Sequence, residues 1–365
     1  MNKKGKIVFI IILGLFIIGV ISLMGCVIFY YNSLGTFEKE ENGKDIKIEI
    51  PEGTSVAKIA NILEENQVVK NAFTFKVFLK LNNKVSLQAG TYMFNNGKEN
   101  VEQIVTKLNS GEIFDETVTI TFIEGKNMRY IAKLIAENTN NTEDAVYELL
   151  EDEDYINSLI DEYWFITEEI TDENIYYPLE GYLLPDTYTF TNKDISVKEI
   201  FAHILSYTDK YLSSHREDIE NTGLTVHQLL TLASITELEA STYEDRQEII
   251  GVFYNRLNED MSLGSDVTTY YAVQKEMSEG DLTAEDLKVE SLYNTRLSSM
   301  KGKIPIGPID NPSKESIEAT MFPIETDALY FVADKNKKVY FSENYKEHQN
   351  IIKDLKEANL WYTYE

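Results

Sequence analysis

Two glutamates inside an apolar helical stretch are the residues of this chain best suited to proton-transfer chemistry. In TVHQLLTLASITELEASTYEDR, Thr225 to Arg246, Glu237 extends one apolar face of the predicted helix and Glu239 lies on the opposite face. A carboxyl group withdrawn from water has its charged form disfavoured and its pKa raised, which suits a general acid near neutral pH. We therefore predict that one of these two glutamates is catalytic.

The alternative is that each glutamate forms a structural ion pair. Arg246 and Arg256 lie close by in the sequence, and ion pairs that tie a core together perturb pKa values as well. The residues alone leave both interpretations open.

Other catalytic patterns are absent from the sequence. The four histidines lack the spacing of a metal site, thiol ligands are missing, and there is no phosphate-binding glycine loop or G-x-S-x-G turn. We therefore expect neither a metal nor a cofactor. Carboxylates among amides, hydroxyls and aromatic rings are typical of a glycan-binding cleft.

Six further residues are candidates for lining such a cleft, one pair on a second apolar helix and two pairs on predicted loops. They are Asn255 and Arg256, Ser265 and Asp266, and Tyr293 and Asn294. Each could equally cap a helix, form a turn or make an ion pair. If Asp266 lies about 5 to 9 Å from Glu237, the alternative of a hydrolase with two catalytic carboxylates stays open.

The elements that hold these residues begin after a long apolar segment. Residues 7–31 carry no charge and are long enough to cross a bilayer, with three lysines before them and acidic residues after them from Glu38. This pattern predicts an uncleaved transmembrane helix with a cytoplasmic tail at 1–6 and the bulk of the chain outside the cell.

The composition excludes some partners. The formal net charge is −27, so nucleic acid and anionic membrane surfaces are not expected to bind. With 43% hydrophobic residues, the chain is expected to fold around a full core.

An internal repeat follows a linker at 32–45. Ile46–Asn66 aligns with Val118–Asn138 at an offset of 72 residues, and each copy predicts a strand, a Glu-Gly turn and an amphipathic helix. Thr54 is the predicted N-cap of the first helix. The unit resembles the LysM module, a βααβ unit whose family binds glycans containing N-acetylglucosamine. Here it is expected either to bind glycan or to act as a spacer.

The second copy is interrupted. An acidic helical segment covers residues 141–169, and the proline- and aromatic-rich segment from Pro178 to Tyr188 predicts a packed, irregular loop.

Several ordered motifs carry a resemblance to the MltG/YceG family of endolytic murein transglycosylases. They are IPEGTSVAKIA from Ile50, LEGYLLPDTY from Leu179, ASITELEA from Ala233, GVFYNRL from Gly251, LGSDVTTYYAV from Leu263, YNTR from Tyr293, IGPIDNP from Ile306 and ALYFVAD from Ala328. The resemblance spans about residues 46–350.

This resemblance implies a lyase that cleaves the β-1,4 bond between N-acetylmuramic acid and N-acetylglucosamine inside glycan strands. The family's catalytic glutamate matches Glu237, with one carboxyl group acting first as acid and then as base while a 1,6-anhydro ring closes. The chain departs from the family's pattern at Leu238, where a charged residue is usual. Cell-wall synthases are implied as possible partners.

Together these observations predict an α+β protein anchored in the cell membrane by one helix. We expect a LysM-like domain at 46–112, a second LysM-like half with a helical insertion at 113–224 and a catalytic domain at 225–365. Its partners would be peptidoglycan strands and, through the helix, the lipid bilayer. The alternatives are a non-catalytic wall-binding scaffold and the two-carboxylate muramidase.

Overall fold

The computed structural model describes residues 3–82 and 86–361. The chain divides into two compact units, Met1–Glu116 and Thr117–Glu365. Both contain helices and antiparallel strand pairs, so the predicted mixed α+β class is confirmed.

Helix α1, Lys3–Ser33, contains the predicted membrane segment. Its part Phe9–Ser33 has a mean hydropathy of 2.9 and is exposed, so by length and composition this helix can cross a membrane. The end of α1 is held by the rest of the first unit, because Leu34 packs against that unit's core and the Lys70 ammonium donates to the Asn32 carbonyl.

The first unit has the order β1 (Asp45–Ile50), α2 (Val56–Glu65), α3 (Ala72–Leu81), β2 (Gly90–Asn95) and α4 (Val101–Ser110). Strands β1 and β2 are antiparallel, with Asp45 opposite Asn95 and Ile50 opposite Gly90. Alternation along each strand buries one face against the helices. The βααβ order matches the prediction, and the description of this unit as LysM-like stays a prediction.

The predicted cap of α2 was wrong by one residue. Ser55 is the N-cap and its hydroxyl accepts from the Lys58 amide, whereas the Thr54 hydroxyl donates to the Pro51 carbonyl. Thr54 is held in the turn around Gly53, which has a φ of 76° that favours glycine.

The second unit begins with β3, α5, α6, α7 and β4. These elements are Val118–Phe122, Met128–Asn138, Glu143–Leu150, Glu153–Glu162 and Asp186–Phe190. Its later elements are α8 (Val197–Ser214), α9 (Arg216–Thr222), α10 (Val226–Glu239), α11 (Tyr243–Asn258), α12 (Asp266–Ala272), α13 (Lys314–Met321), β5 (Tyr330–Ala333), β6 (Val339–Ser342) and α14 (Tyr345–Glu357).

The repeat predicted from the sequence is present as a strand, a glycine turn and a helix. Gly125 has a φ of 69°, close to that of Gly53, and Asn127 caps α5. The packed loop predicted for Pro178–Tyr188 ends earlier than expected, because Asp186–Phe190 forms β4 and pairs antiparallel with β3. Its alternation of threonine with buried Tyr188 and Phe190 is the signature of a half-buried strand.

Helix α10 is the centre of the second unit. Thr225 and Gln228 form a capping box at its start, and the helix is buried from Leu229 to Thr236, as the sequence predicted. It contacts α11, α12 and α13, and contributes side chains to two hydrophobic clusters. Helix α10 ends at Glu239, so both glutamates lie on its last turn.

Candidate active site on helix α10

The carboxylate of Glu237 is occupied by protein donors. Its Oε1 accepts from the Arg246 guanidinium at 3.0 Å. Its Oε2 accepts from the Ser313 amide at 2.9 Å, the Ser313 hydroxyl at 2.5 Å and the Ser316 hydroxyl at 2.7 Å. The side chain is 5% exposed, so neither oxygen is placed to meet a substrate.

These contacts join three helices. Arg246 on α11 reaches Glu237 on α10 with one nitrogen and Glu315 on α13 with the other, at 2.7 Å. Glu237 also stands at the start of α13, where a negative charge is favoured by the helix dipole. Glu237 and Arg246 therefore form an ion pair, and the role of Glu237 stays a prediction.

Glu239 has a different environment. Its Oε1 accepts a hydrogen bond from the Ser265 hydroxyl at 2.5 Å. Among the residues that the structure describes, Glu239 forms no salt bridge within 4 Å. Burial raises the pKa of its carboxyl, and the nearby charge of Asp266 adds to the rise, against lowering by Ser265, Arg296 and Arg256. A carboxyl group of this kind is suited to donate a proton near neutral pH.

Glu239 lines an open cavity of about 780 Å³. The cavity wall combines polar loop residues with aromatic side chains from the strand β5 region and the C-terminal segment. Its members include Ser265, Asp266, Arg296, Tyr330, Phe331, His348 and Trp361. The volume is sufficient for sugar units, and the mixture of charged groups with rings fits a carbohydrate.

Three more of the predicted site residues, Arg256, Ser265 and Asp266, line this cavity. The Arg256 guanidinium donates to the carbonyls of Leu329 and Leu263, and lies 5.3 Å from the Tyr330 ring centre. Asp266 is the first residue of α12 rather than part of a loop, and it pairs with Arg296. The structure therefore brings Glu239, Arg256, Ser265 and Asp266 together.

The remaining candidates are placed elsewhere. The Asn255 amide donates to the carbonyls of Thr326 and Ala328, which fixes the chain before β5. Tyr293 is buried between the rings of Tyr176 and Tyr271. Asn294 is buried too, with hydrogen bonds to Thr269 and to the carbonyls of Leu287 and Val289. None of the three is on the described wall of the Glu239 cavity.

Sequence reasoning missed two buried acids, Glu180 and Asp310. Burial raises the pKa of Glu180 to about 8, although Met128, Tyr271 and Asn311 donate hydrogen bonds to it. Both carboxyl oxygens of Asp310 lack a hydrogen-bond partner in the described part of the chain.

The pKa of Asp310 is raised well above its ordinary value by burial, with Glu237 and Glu180 adding to the rise. Glu180 lies in the segment predicted to be a packed loop, and Asp310 lies in the motif IGPIDNP. The sequence signal that could have found these two acids is a charged residue inside an apolar, proline-rich segment.

Within the residues described, no group of three His, Cys, Asp or Glu side chains could hold a metal ion. The chemistry open to the Glu239 cavity is proton transfer by a half-buried carboxyl, assisted by a hydroxyl and two arginines. Asp266 adds a second carboxylate on the same cavity wall.

The sequence model of the YceG-like family matches residues 48–354. A protein of Bacillus subtilis strain 168 named endolytic murein transglycosylase is 36% identical over 327 residues, which cover 89% of each chain. A protein of the same name from Streptococcus pneumoniae strain D39 is 32% identical over 87% of this chain, which spans 59% of the pneumococcal protein.

A crystal structure of a YceG-like protein from Listeria monocytogenes superposes with a TM-score of 0.60 at 35% identity. It covers 85% of this chain and 100% of the other. The family predicted from the ordered motifs is thereby confirmed. The chain belongs to the YceG-like family.

Proposed function

We propose that this protein is an endolytic murein transglycosylase, a lyase that cleaves peptidoglycan strands internally without water. The relatives' names support the activity. The observation that carries the proposal is Glu239, a half-buried carboxyl on an open cavity whose pKa is raised by desolvation. The bond we propose is the β-1,4 link between N-acetylmuramic acid and N-acetylglucosamine.

In this proposal one carboxyl group serves twice. Protonated Glu239 donates its proton to the glycosidic oxygen as the bond to C1 of muramic acid breaks. The resulting carboxylate then takes the proton of the C6 hydroxyl, whose oxygen bonds to C1 and closes the 1,6-anhydro ring. The Ser265 hydroxyl holds the carboxyl in place, and the positive charges of Arg256 and Arg296 stabilise its ionised form between the two steps.

This proposal places the catalytic role on Glu239, whereas the family resemblance assigns it to Glu237. Glu237 as the catalytic residue stays a prediction, and its four protein donors argue against it. A carboxylate held by an arginine, an amide and two hydroxyls would have to break those contacts before it could reach a sugar. We propose that Glu237 instead fixes the end of α10, and thereby the position of Glu239.

A second candidate function is hydrolysis by two carboxylates. It is favoured by one observation, namely that Asp266 lines the same cavity as Glu239 and raises the pKa of Glu239. In such a mechanism Asp266, paired with Arg296, would be the nucleophile or the base that activates water. The product would then carry a reducing end.

We further propose that α1 anchors the protein in the cell membrane as a single span, with the lysine-rich end in the cytoplasm and the rest outside. The unit that contains β1 and β2 would be LysM-like and would bind glycan or act as a spacer. Cell-wall synthases are the partners that the family resemblance suggests.

The chain ends formed by the purified protein test the proposal. Peptidoglycan would be digested with it, and the new ends identified by mass spectrometry. We expect internal cuts that leave 1,6-anhydro-muramic acid. Reducing ends would favour the two-carboxylate hydrolase, and intact strands would favour the non-catalytic scaffold.

A further inference from the structure

A second cavity of about 610 Å³ lies beside the Glu239 cavity in the unit 117–365. Val267 lines both cavities, so the two share a wall. The second cavity is bounded by the turn around Gly125, by α5, by α12 and by the segment after α12. Its members include Lys126, Arg129, Tyr130, Lys133, Leu238, Tyr270, Lys275, Met277 and Asp310.

The wall of this second cavity is rich in cations, although the chain as a whole has a formal net charge of −27. Four basic residues line it, namely Lys126, Arg129, Lys133 and Lys275. The acids on the same wall are Glu276, which pairs with Arg129 at 2.5 Å, and Asp310, which is 1% exposed. The accessible charge of the cavity is therefore positive.

Two of these cations, Lys126 and Lys133, are exposed to solvent. Arg129 is held by Gln274 and Glu276, and the Lys275 ammonium donates to the Asp281 carbonyl. The Lys126 ammonium lies 5.4 Å from the centre of the Tyr130 ring, and among the residues described it forms no ion pair.

The Lys133 side chain is 64% exposed, and its nearest acid, Glu137, is 3.9 Å away. An exposed i,i+4 pair of this kind contributes little and is readily exchanged for another anion.

The ligand that fits this wall is an anion with apolar parts. Lys126 and Lys133 supply charge for a carboxylate, while Leu238, Met277 and the ring of Tyr130 offer apolar contact. A peptidoglycan strand brings such a group close to the cleaved bond, because muramic acid carries a peptide with free carboxylates on its lactyl group. A cavity next to the one that holds Glu239 is where that peptide would lie.

We propose that the second cavity binds a free carboxylate of the peptide on the muramic acid being cleaved, through Lys126 and Lys133. The inference rests on the proposed function and deepens it, since such a site makes the enzyme selective for strands that still carry peptides. Strands stripped of peptides would be cleaved by the same chemistry but bound less well.

The test compares glycan oligomers that carry peptides with the same oligomers stripped by an amidase. For the wild type we expect kcat/KM to be about tenfold higher on the oligomers that carry peptides. The double variant Lys126→Met with Lys133→Met should lose that preference, falling about tenfold on peptide-carrying oligomers and less than twofold on stripped ones. Its melting temperature verifies the fold.

The matched control removes two exposed lysines of the same unit that line neither cavity, by Lys210→Met with Lys346→Met. It changes the net charge equally and should keep the preference. If it loses the preference as well, the effect is general electrostatics and the inference is overturned.

Other outcomes separate this inference from the function it rests on. A wild type that forms no anhydro ends from either substrate refutes the proposed function. A wild type that cleaves both substrates with equal kcat/KM refutes the carboxylate site alone. Free peptide should inhibit the wild type on peptide-carrying oligomers, and inhibition by poly(glycerol phosphate) but not by peptide would assign the cavity to a phosphate polymer and overturn the inference.

Discussion

At the scale of single residues, two glutamates two positions apart have opposite environments. Glu237 meets an arginine and two serines, whereas Glu239 is half-buried, accepts a hydrogen bond from one serine hydroxyl and faces a cavity. Burial disfavours a charged carboxylate, and ion pairing offsets that cost. Glu239 therefore keeps the raised pKa that a general acid needs.

The hydrogen bond from Ser265 sets how far that pKa rises. Ser265 lowers the pKa of Glu239, so Ser265→Ala should raise it further. A general acid acts while it is protonated, so the alkaline limb of the kcat/KM profile should move to higher pH. The measurement is a pH–rate profile on soluble glycan oligomers. An alkaline limb that stays in place or moves to lower pH would contradict the assignment.

The sequence was sufficient to find both glutamates and the buried helix, but not to assign their roles. The partners that decide the matter are distant, because Ser313 lies 76 residues from Glu237 and Ser265 lies 26 residues from Glu239. Both come from loops whose path the local pattern does not predict. Tyr293 and Asn294 were candidates because the local pattern places them on a loop, but the fold buries both side chains.

At the scale of elements, α10 is held by its neighbours rather than by its own sequence. Arg246 links it to α11 and α13, and its side chain is 9% exposed. The repeat predicted the strand and helix of each copy. The β4 strand was missed because it overlaps a segment with two prolines and a glycine. These residues indicate a loop more strongly than a short alternation of polar and apolar residues indicates a strand.

Removing the link should destabilise the second unit. Arg246→Met leaves the Glu237 carboxylate buried without its cation, so we expect the free energy of unfolding to fall by ~3 kcal/mol. The control is Lys353→Met, which breaks an exposed pair with Glu357 and should cost less than ~1 kcal/mol. Both are measured by urea denaturation, and equal losses would show that the Arg246 contacts do not stabilise the fold.

At the scale of the whole molecule, composition and charge predicted the anchor helix and the acidic bulk. The structure divides the chain after Glu116, and the domain bounds given by the sequence stay a prediction. No sequence pattern marks the residue at which one hydrophobic cluster ends and the next begins. Side chains of α10 belong to two hydrophobic clusters of the second unit, so the hydrophobic pattern of this helix does not show which cluster a residue joins.

The orientation of the anchor is tested on intact cells stripped of their wall. With the lysine-rich end inside, an added protease should remove the chain beyond about Glu38. A carboxy-terminal epitope would be followed by immunoblotting, with a cytoplasmic protein as the control for lysis. Protection of that epitope would contradict the proposed orientation.

The central claim is that Glu239 performs the proton transfers and Glu237 holds the helix. The most direct measurement is the yield of anhydro-muropeptides and the melting temperature of Glu239→Gln and Glu237→Gln on one substrate. We predict that Glu239→Gln is folded and loses product about 10²–10⁴-fold, and that Glu237→Gln melts several degrees lower but retains turnover. A folded, inactive Glu237→Gln beside an active Glu239→Gln would contradict the account.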